Sequence, residues 1–478
     1  MRRPRAYGRR TKIVCTIGPA TGSTVVIERL IRAGMNVARL NLAHGTPSEH
    51  ARYVQTIKNI SQRLHTNVAV LMDLPGPKYR TGKLKGGRAI LKRGARLVFT
   101  TQQIEGDATR VSVNLPNLPR DVKPGDTILL ADGEMQARVL QVDGSEVMCR
   151  VTVDGILTEE RGLVVPGMHM SGPFISDALR EDLNFALSQE PDYLALSFVN
   201  EAQDITGIRG LMREKGAEVP IIAKIERGKA VSNFDSILAA ADGIMVARGD
   251  LGVEIPLEKV PLVQKEIIKK CNRAGKPVIT ATEMLESMVK SMRPSRAEAT
   301  DVANAIFDGT DATMLSEETS IGEHPLQAVK VMDRIARETE RKLPYELALS
   351  EKKTWSEEGT EELISYSACV TAHSLGARAI IAFTESGSTA GRVSKYRPRT
   401  AILAMTPDEV ICRRLVLYWG VQSVQVATPS SISGLFDEAS TLSRQLGLTK
   451  TGDLVVITAG VPIGMAGTTN MLKVETIG

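Results

Sequence analysis

The chain has 478 residues, of which 42% are hydrophobic and 24% are charged, and its formal net charge is +5. No apolar stretch approaches the roughly 20 residues that a membrane-spanning helix needs, so the composition predicts a soluble cytoplasmic protein. The five cysteines are widely scattered and form no CxxC pair, which argues for reduced thiols rather than disulfides or a zinc site.

The N-terminus is strongly basic, because the first ten residues contain five arginines and no acidic residue. They lack the apolar core of a secretory signal, so we expect residues 1–10 to form a disordered basic tail. These arginines account for the whole net charge, and the remaining chain is near neutral. A flexible tail gives only weak, salt-sensitive attraction to nucleic acid, so a nucleic-acid-binding function is not expected.

Eight apolar, strand-like runs follow one another before residue 320, and most are separated by about 22 to 35 residues. This spacing fits one strand plus one return helix. It predicts an α/β fold with a closed parallel (β/α)8 barrel, a TIM barrel, over residues 11–80 and 168–342. The runs lie near Ile13, Val37, Ala69, Leu194, Ile221, Ile244, Val278 and Thr313.

One long gap separates the third run from the fourth. Within it, Asp132-Gly133, Asp143-Gly144 and Asp154-Gly155 recur between short apolar runs, and each pair is a hairpin signal. We therefore expect residues 81–167 to form a small β-barrel domain. Because the insert leaves from the C-terminal end of the third strand, it would lie over the barrel mouth as a lid that closes on substrate.

A charged segment near residue 350 precedes new strand-like runs, which predict a C-terminal α/β domain over residues 343–478. Its first strand ends in a turn of hydroxyl residues and glycine that enters a helix. Such a turn offers backbone N–H groups to a phosphate, although a capping turn without a ligand explains the pattern almost as well. A second glycine-rich loop, at residues 460–467, favours the bound anion. The candidate effector-loop residues are Thr384, Ser386, Gly387, Ser388 and Thr389.

Every barrel strand except the first and the fourth ends in a residue able to do chemistry. The carboxyl ends of parallel strands meet at one rim of a barrel, where active sites of this architecture lie. Each residue alone could be a helix cap or half of an ion pair, but several buried charges on one rim are costly unless they bind something. The candidates are Arg39, Asn41, Asp73, Lys224, Glu226, Asp250, Thr282, Ser316 and Glu318.

The rim favours a magnesium site. Glu226 and Asp250 provide few protein oxygens, which suits Mg²⁺ because this ion keeps waters and takes its remaining ligands from substrate. The run at 248–252 offers open backbone amides near the metal, fit to hold a carboxylate. Arg39 and Lys224 add fixed positive charge for a phosphoryl group in transfer. These residues indicate a metal-assisted enzyme that acts on an anionic substrate.

Four segments are long and specific enough to carry a resemblance: residues 16–20, 34–41, 242–256 and 276–288. They resemble signatures of the pyruvate kinase family, and the resemblance covers nearly the whole chain. It implies a catalytic barrel, a β lid, a C-terminal regulatory domain and a homotetramer. The implied reaction is phosphoryl transfer from phosphoenolpyruvate to ADP with Mg²⁺ (or Mn²⁺), which yields pyruvate and ATP as the last step of glycolysis.

The resemblance also implies a role for each rim residue. Lys224 would stabilise the transferring phosphoryl group, and Glu226 with Asp250 would hold the metal. Substrate and proton contacts are implied for a further set: Arg39 at the phosphoryl group, Gly249, Asp250 and Thr282 at the substrate carboxylate, Asn41, His44 and Arg80 on the ADP side, and Ser316 and Glu318 on the proton path.

The monovalent cation site of many family members is altered in this chain. Residues 41–45 read Asn-Leu-Ala-His-Gly where Asn-Phe-Ser-His-Gly is common, and residues 73–78 read Asp-Leu-Pro-Gly-Pro-Lys where Asp-Thr-Lys-Gly-Pro-Glu is common. Two hydroxyl ligands are missing, which leaves Asn41 and Asp73. Lys78 replaces an acid and could act as an internal cation. We therefore expect activity without potassium, as in the lysine-bearing branch; the alternative is a solvated Lys78 with potassium bound elsewhere.

Other positions also depart from the family pattern. Leu179 stands where an acid is usual and Ala178 where lysine is usual, which puts some contacts around the site in doubt. Glu317 replaces a common glycine and adds negative charge near the implied proton path. Glu385 stands in the effector loop where members activated by a sugar bisphosphate often have lysine, and it would repel a second phosphate. We expect a monophosphate effector such as a sugar phosphate or AMP.

Two other classes of function are compatible with this rim. One is a Mg²⁺-dependent lyase or aldolase acting on a 2-oxo acid, against which Arg80, His44 and the lid argue, because a lyase would not depend on ADP. The other is a catalytically weak regulatory paralogue, for which Leu179 and Ala43 are the only hints. Measured turnover would separate the two.

Overall fold

The structure, a computed structural model, describes residues 8–168, 170–463 and 468–478, without the side chains of residues 356–358. Its strands form a closed barrel, a lid sheet and a C-terminal sheet. In chain order, the strands of the described ranges are β1 (Lys12–Thr16), β2 (Val37–Asn41), β3 (Ala69–Leu74), β4 (Tyr79–Arg80), β5 (Arg88–Leu91), β6 (Arg96–Thr100), β7 (Arg110–Ser112), β8 (Thr127–Leu130), β9 (Met135–Asp143), β10 (Glu146–Val153), β11 (Gly155–Thr158), β12 (Gly162–Val164), β13 (Tyr193–Leu196), β14 (Ile221–Ile225), β15 (Gly243–Ala247), β16 (Val278–Ala281), β17 (Ala312–Leu315), β18 (Ala379–Phe383), β19 (Ala401–Thr406), β20 (Val421–Gln425), β21 (Leu454–Gly460) and β22 (Thr469–Thr476).

The helices mostly return the chain from one barrel strand to the next. Several begin at capping boxes, as where Thr46 and Glu49 exchange side-chain and backbone hydrogen bonds at the start of the second helix. In chain order they are α1 (Thr24–Ala33), α2 (Pro47–Leu64), α3 (Leu118–Asp121), α4 (Asp177–Ser188), α5 (Ala202–Glu214), α6 (Gly228–Ser232), α7 (Phe234–Ala240), α8 (Arg248–Glu254), α9 (Val260–Ala274), α10 (Arg296–Asp308), α11 (Glu317–Ser320), α12 (Pro325–Glu340), α13 (Tyr345–Glu351), α14 (Thr360–Ser374), α15 (Ser388–Lys395), α16 (Glu409–Arg414) and α17 (Ile432–Gln445). No helix in these described ranges has the length and apolarity to cross a bilayer.

The barrel consists of eight parallel strands in the order β1-β2-β3-β13-β14-β15-β16-β17, closed by pairing of β17 with β1. These are the eight predicted strands, and the predicted TIM barrel is confirmed. The interior is a packed core in which Leu71, Ile222 and Met245 are completely buried. Leu417 from the C-terminal domain joins the same cluster. Because the core fills the barrel, chemistry is confined to its ends.

The lid is a seven-stranded sheet in the order β4-β12-β8-β9-β10-β6-β7, and a bridge between Thr81 and Val113 joins its two edges into a barrel. The turns at 132–133 and 143–144 form the predicted hairpins β8–β9 and β9–β10. The third predicted hairpin, at 154–155, is wrong, because β11 pairs with β5 rather than with β10. The lid sheet also begins at Tyr79, two residues before the predicted boundary.

The C-terminal domain is built on a five-stranded sheet in the order β20-β19-β18-β21-β22. All neighbours are parallel except β22, which pairs antiparallel with β21 at the edge. The first strand, β18, is completely buried and feeds the turn that leads into α15. An α/β sheet of this kind places that turn at the carboxyl end of its central strand, where ligands bind.

The predicted disordered tail is wrong for its last residues, because Arg9 and Arg10 are held by the folded body. Arg9 Nε forms an ion pair with Asp333 Oδ1 of α12 at 3.1 Å. The backbone N–H of Arg10 donates to the Glu340 carboxylate, and its carbonyl accepts from the N–H of Gly420 in the C-terminal domain. A buried carboxylate that needs donors thus orders this segment. Residues 1–7 lie outside the described residues.

Candidate active site

A buried network of charges connects the C-terminal ends of β2, β3 and β14. Asp73, completely buried, accepts a hydrogen bond from Arg39 Nε at 2.7 Å through Oδ2, and Lys224 Nζ lies 3.4 Å from the same oxygen. Burial raises the pKa of Asp73, but the charges of Lys224 and Arg39 outweigh burial and hold it below its usual range. Asp73 is therefore an anion that fixes both cations.

Lys224 points its ammonium at the middle of the rim. Nζ lies 2.9 Å from Glu226 Oε1 and donates to Ser197 Oγ at 2.8 Å. Burial lowers the pKa of Lys224, but the charges of Asp73 and Glu226 exceed that effect and raise it above the usual value. The lysine thus stays protonated, as a group that stabilises a transferring phosphoryl must be.

The two predicted metal ligands share this rim. Glu226 Oε2 accepts the backbone N–H of Phe198 at 2.6 Å, and Asp250 Oδ1 accepts from Lys78 Nζ at 2.6 Å. Burial raises the pKa of Glu226; Lys224 opposes the rise and repulsion from Asp250 adds to it. Two hard carboxylates that repel each other and lie next to lysines fit a divalent cation, which would relieve that repulsion.

Thr282 and Gly249 meet at the ends of β15 and β16. The N–H of Gly249 donates to Thr282 Oγ1 at 2.8 Å, so this amide is engaged in the structure rather than open as the sequence suggested. Thr282 has a φ of +65°, a left-handed conformation that costs a β-branched residue free energy. Arg248 Nη2 donates to the Thr282 carbonyl at 2.9 Å and helps to hold that conformation. Such strain is typical of functional sites.

Ser316 and Glu318 lie together after β17. Glu318 is completely buried and accepts two backbone N–H groups, from Ser316 at 2.6 Å and from Leu285 at 3.0 Å. Burial raises its pKa. Ser316 Oγ is buried and has no hydrogen-bond partner among the described residues. A free hydroxyl held in place by a tethered carboxylate is suited to carry a proton.

The residues predicted for the ADP side lie between the barrel and the lid. Arg80 belongs to the lid strand β4, and its Nη1 donates to the Glu160 carbonyl at 3.1 Å. Partial burial lowers the pKa of His44, and the charges of Arg80 and Arg39 lower it further, so the three groups lie near one another. Asn41 ends β2, and its Oδ1 accepts from the N–H of Ala43 at 3.3 Å.

Lys78 lies on the metal side of the rim. Besides its 2.6 Å hydrogen bond to Asp250, its ammonium is 5.4 Å from the centre of the Phe198 ring and 4.0 Å from Asp132 of the lid. It is largely buried and paired, rather than free in solvent. The oxygens of Asp73, the other predicted monovalent ligand, are already taken by Arg39, Lys224 and Ser197.

Sequence reasoning missed three rim residues. Ser197, after β13, accepts from Lys224 and donates to Asp73 Oδ1 at 3.2 Å. Thr16, the last residue of β1, accepts from Arg39 Nη1 at 2.9 Å. Both are polar residues at the ends of the first and fourth strands, the two that supplied no candidate, so the strand-end rule could have found them. Phe198, which orients Glu226 through its backbone at a φ of +59°, carries no such signal.

The candidate effector loop connects β18 to α15. Gly387 has a φ of +86°, and Ser386 Oγ donates to Ser388 Oγ at 3.2 Å. Thr389 Oγ1 is hydrogen-bonded to Thr469 Oγ1 at 2.7 Å. Thr384 Oγ1 is buried without a partner among the described residues. The second half of the second predicted loop, residues 464–467, lies outside the described residues.

Two departures from the family pattern have clear positions. Leu179 is 4% exposed and packs into the hydrophobic cluster around the barrel, so this side chain serves the core. Glu317 is exposed at the start of α11, and its charge raises the pKa of His44 slightly against the stronger lowering effects.

The chain was compared with known families and proteins. Residues 8–329 match the family model for the pyruvate kinase barrel domain, and residues 362–475 match that for the pyruvate kinase alpha/beta domain. A pyruvate kinase of Staphylococcus epidermidis (strain ATCC 35984) is 44% identical over 472 residues, which cover 98% of this chain and 81% of that protein. A pyruvate kinase of Staphylococcus aureus (strain MRSA252) is 45% identical over 472 residues, which again cover 98% of this chain and 81% of that protein.

A solved structure has the same fold over nearly its whole length. The crystal structure of a pyruvate kinase from Cryptosporidium parvum is similar with a TM-score of 0.92 and 39% sequence identity, covering 98% of this chain and 96% of that one. The barrel and the C-terminal sheet therefore agree with sequence similarity along the chain. The chain belongs to the pyruvate kinase family and is a phosphotransferase.

Proposed function

We propose that the chain transfers a phosphoryl group from phosphoenolpyruvate to ADP with Mg²⁺, releasing pyruvate and ATP. The observation that carries this proposal is the position of Lys224, whose ammonium is held by Asp73, Glu226 and Ser197 at the centre of the rim. A preorganised cation of this kind neutralises charge on a phosphoryl group in flight. The relatives' name supports the choice of substrates.

Glu226 and Asp250 would hold the magnesium ion. When bound, the metal would neutralise charge on phosphate and enolate oxygens. Arg39, whose guanidinium is fixed by Asp73 and Thr16, would contact the phosphoryl group. Gly249 and Thr282 would position the carboxylate end of the substrate. The Gly249 N–H would turn from Thr282 Oγ1 to that carboxylate, and the Thr282 hydroxyl would donate to it in place of the Ala281 carbonyl.

The proton that converts the enolate into pyruvate would reach it through Ser316. This hydroxyl is unpartnered among the described residues and is placed by the Glu318 carboxylate, which accepts the Ser316 N–H. Asn41, His44 and Arg80 would bind ADP. Because Arg80 lies on the lid and His44 on the barrel, nucleotide binding would draw the two domains together.

The same geometry supports catalysis without potassium. The Lys78 ammonium beside Asp250 supplies a fixed positive charge, while Ala43 and Leu74 lack the hydroxyls that would complete a monovalent site around Asn41 and Asp73. A cation that is part of the chain needs no ion from solution. Lys78 is therefore the internal counterpart of potassium in this proposal.

Pyruvate release from phosphoenolpyruvate and ADP, with Mg²⁺ and with potassium either present or replaced by an inert organic cation, tests the proposal. We expect equal turnover in both buffers. Lys78→Met should lower turnover by about tenfold or more in both, because potassium finds too few oxygens to replace the lysine. Lys123→Met, on an exposed lid lysine, is the control. Turnover only with potassium would refute the Lys78 role, and no turnover in either would refute the reaction.

The C-terminal domain would bind a phosphorylated effector at residues 384–389. One carboxylate oxygen of Glu385 is buried without a partner among the described residues, and its charge would oppose a second phosphate. We therefore propose a monophosphate, such as a sugar phosphate or AMP, as effector of a cytoplasmic homotetramer. Activation by a sugar bisphosphate but not by monophosphates would contradict this choice, and sedimentation would test the tetramer.

A further inference from the structure

Two short connections join the lid to the barrel, and any motion of the lid must be absorbed in them. The outgoing connection, residues 75–78, runs from β3 to β4, and the returning connection, described at residues 165–168 and 170–176, runs from β12 to α4. The outgoing connection lies hard against the rim, because a Cβ added to Gly76 would be 2.1 Å from the carbonyl oxygen of Ser197. A movement of the outgoing connection would therefore press directly on the rim at Ser197.

Arg227 contacts both connections from the barrel. Its Nη2 donates to the Pro77 carbonyl at 2.8 Å in the outgoing connection and lies 2.9 Å from Met170 Sδ in the returning one. The guanidinium carbon is 5.1 Å from the centre of the Phe198 ring, within cation–π range. Arg227 is 8% exposed, and its Nε has no partner among the described residues. A cation is thus buried where the barrel, the outgoing connection and the returning connection meet.

Glu254 adds a second contact at the same place. It ends α8, and burial raises the pKa of its carboxyl, while the nearby backbone N–H groups of Gly167, in the returning connection, and of Gly228, next to Arg227, lower it. Arg227 and Glu254 attract each other electrostatically. Together they line the cavity between lid and rim with Lys78, Met168, Met170 and Phe198.

The same residues are covalently continuous with the candidate metal ligands. Arg227 follows Glu226 directly, and α8, which Glu254 ends, contains Asp250. The Phe198 ring under Arg227 belongs to the residue whose backbone N–H orients Glu226. We call Arg227 and Glu254 together the clamp. A shift of the clamp would therefore reach the Glu226 and Asp250 carboxylates through the backbone.

We propose that Arg227, assisted by Glu254, is the positioning residue that sets the resting angle of the lid and links lid closure to the metal carboxylates. With the clamp intact, the lid is preorganised to bring Arg80 over the site. Without it, closure must order the connections each time nucleotide binds, and the apparent affinity for that ligand falls by the fraction of closed molecules. Ligands held by the barrel alone are little affected, because Glu226 keeps its contacts with Lys224 and with the Phe198 N–H when Arg227 is replaced.

Hydrogen exchange and steady-state kinetics test this on the full chain. Arg227→Met keeps an unbranched apolar stem but removes the charge and the donors; we expect amide exchange in residues 75–84 and 165–176 to become about tenfold faster, as for loss of one charged hydrogen bond. The KM for ADP should rise about five- to tenfold and that for phosphoenolpyruvate less than twofold. Arg209→Met, which breaks a partly buried ion pair to Asp242 at the opposite end of the barrel, is the matched control and should change neither.

The alternatives give different results. Arg227→Lys keeps the charge but cannot reach both connections, so we expect intermediate exchange and an intermediate KM for ADP. Full restoration by lysine would show that charge alone matters and would overturn the clamp. Unchanged exchange in Arg227→Met, or equal rises in both KM values, would also overturn it.

If Arg227→Met does not fold, Arg227→Lys decides alone, with faster exchange supporting and wild-type exchange refuting the proposal. The kinetic measurement rests on the proposed reaction, whereas the exchange measurement does not. Failure of the proposed reaction can therefore be told apart from failure of the proposed role of Arg227.

Discussion

At the scale of single residues, the candidate site is a set of buried charges in which each has a partner. Asp73 holds Arg39 and Lys224, and Lys224 in turn holds Glu226. Burying these ions costs free energy that their mutual attraction offsets only when the geometry is good. The gain is preorganisation: the cations do not have to reorient when a phosphoryl group arrives.

Ser197 should matter for turnover more than for stability. Ser197→Ala removes the hydroxyl between Lys224 and Asp73 but leaves both ion pairs of Lys224, so we expect kcat to fall about tenfold with little change in the KM for phosphoenolpyruvate. Initial-rate kinetics with pyruvate detection would measure both. Ser236→Ala, at an exposed position of α7, serves as control. A kcat within twofold of wild type would mean that the hydroxyl does not position the lysine.

At the scale of elements, the rim is made by the turns that follow the strands. Thr282 and Glu283 both have positive φ after β16, and the short helical turn Glu286–Val289 comes next. This turn lies against α11, which carries Glu317 and Glu318. Several carboxylates therefore face one another beside the implied proton path. Their repulsion should make the stability of this part of the molecule depend on pH.

Glu286 provides the measurable case. Partial burial, with repulsion from Glu318, Glu317 and Glu283, raises its pKa from 4.5 to about 7. Between these values the folded state binds more protons than the unfolded state, so stability falls as pH rises through this window. Glu286→Gln should therefore raise the thermal unfolding midpoint at pH 8 and leave it nearly unchanged at pH 4.5. Exposed Glu258→Gln should shift neither midpoint. A Glu286→Gln effect equal at both pH values would contradict the assignment.

At the scale of the whole molecule, a buried arginine is among the residues that fasten the N-terminal end of the barrel to the C-terminal domain. Arg397 Nη1 forms an ion pair with Asp311 at 2.8 Å, and Nη2 donates to Asn272 Oδ1 at 2.6 Å and to the Gly309 carbonyl at 2.8 Å. Asp311 also accepts the N–H of Trp419. With Leu417 in the barrel core, these contacts couple the two domains.

Removing this arginine should destabilise the molecule strongly. Arg397→Met leaves Asp311 buried without its counter-charge, and we expect the free energy of unfolding to fall by about 3–5 kcal/mol. Denaturant unfolding would measure the loss, with exposed Arg399→Met as control. Adding Asp311→Asn should recover part of it, because the unpaired charge is then gone. A loss below about 1 kcal/mol would place the coupling elsewhere in the interface.

The barrel, the lid, the C-terminal sheet and most of the rim residues could be predicted from local patterns in the sequence. Strand spacing and apolar runs are local signals, and strands such as β14 and β15 carry them without help from distant residues. The strand-end rule located Asp73, Lys224, Glu226 and Asp250 because parallel strands must meet at their carboxyl ends.

The groups that meet across the fold could not be predicted in this way, because they are set by long-range packing. That Ser197 bridges Lys224 and Asp73, that Lys78 pairs with Asp250, and that Arg227 reaches both lid connections depend on contacts between residues far apart in sequence. The two wrong predictions, the third hairpin and the disorder of Arg10, have the same origin. In each case the segment contacts a distant partner, because β11 pairs with β5 and the Arg10 N–H donates to Glu340. Local patterns specify elements, whereas long-range packing and the need to pair buried polar groups choose their partners.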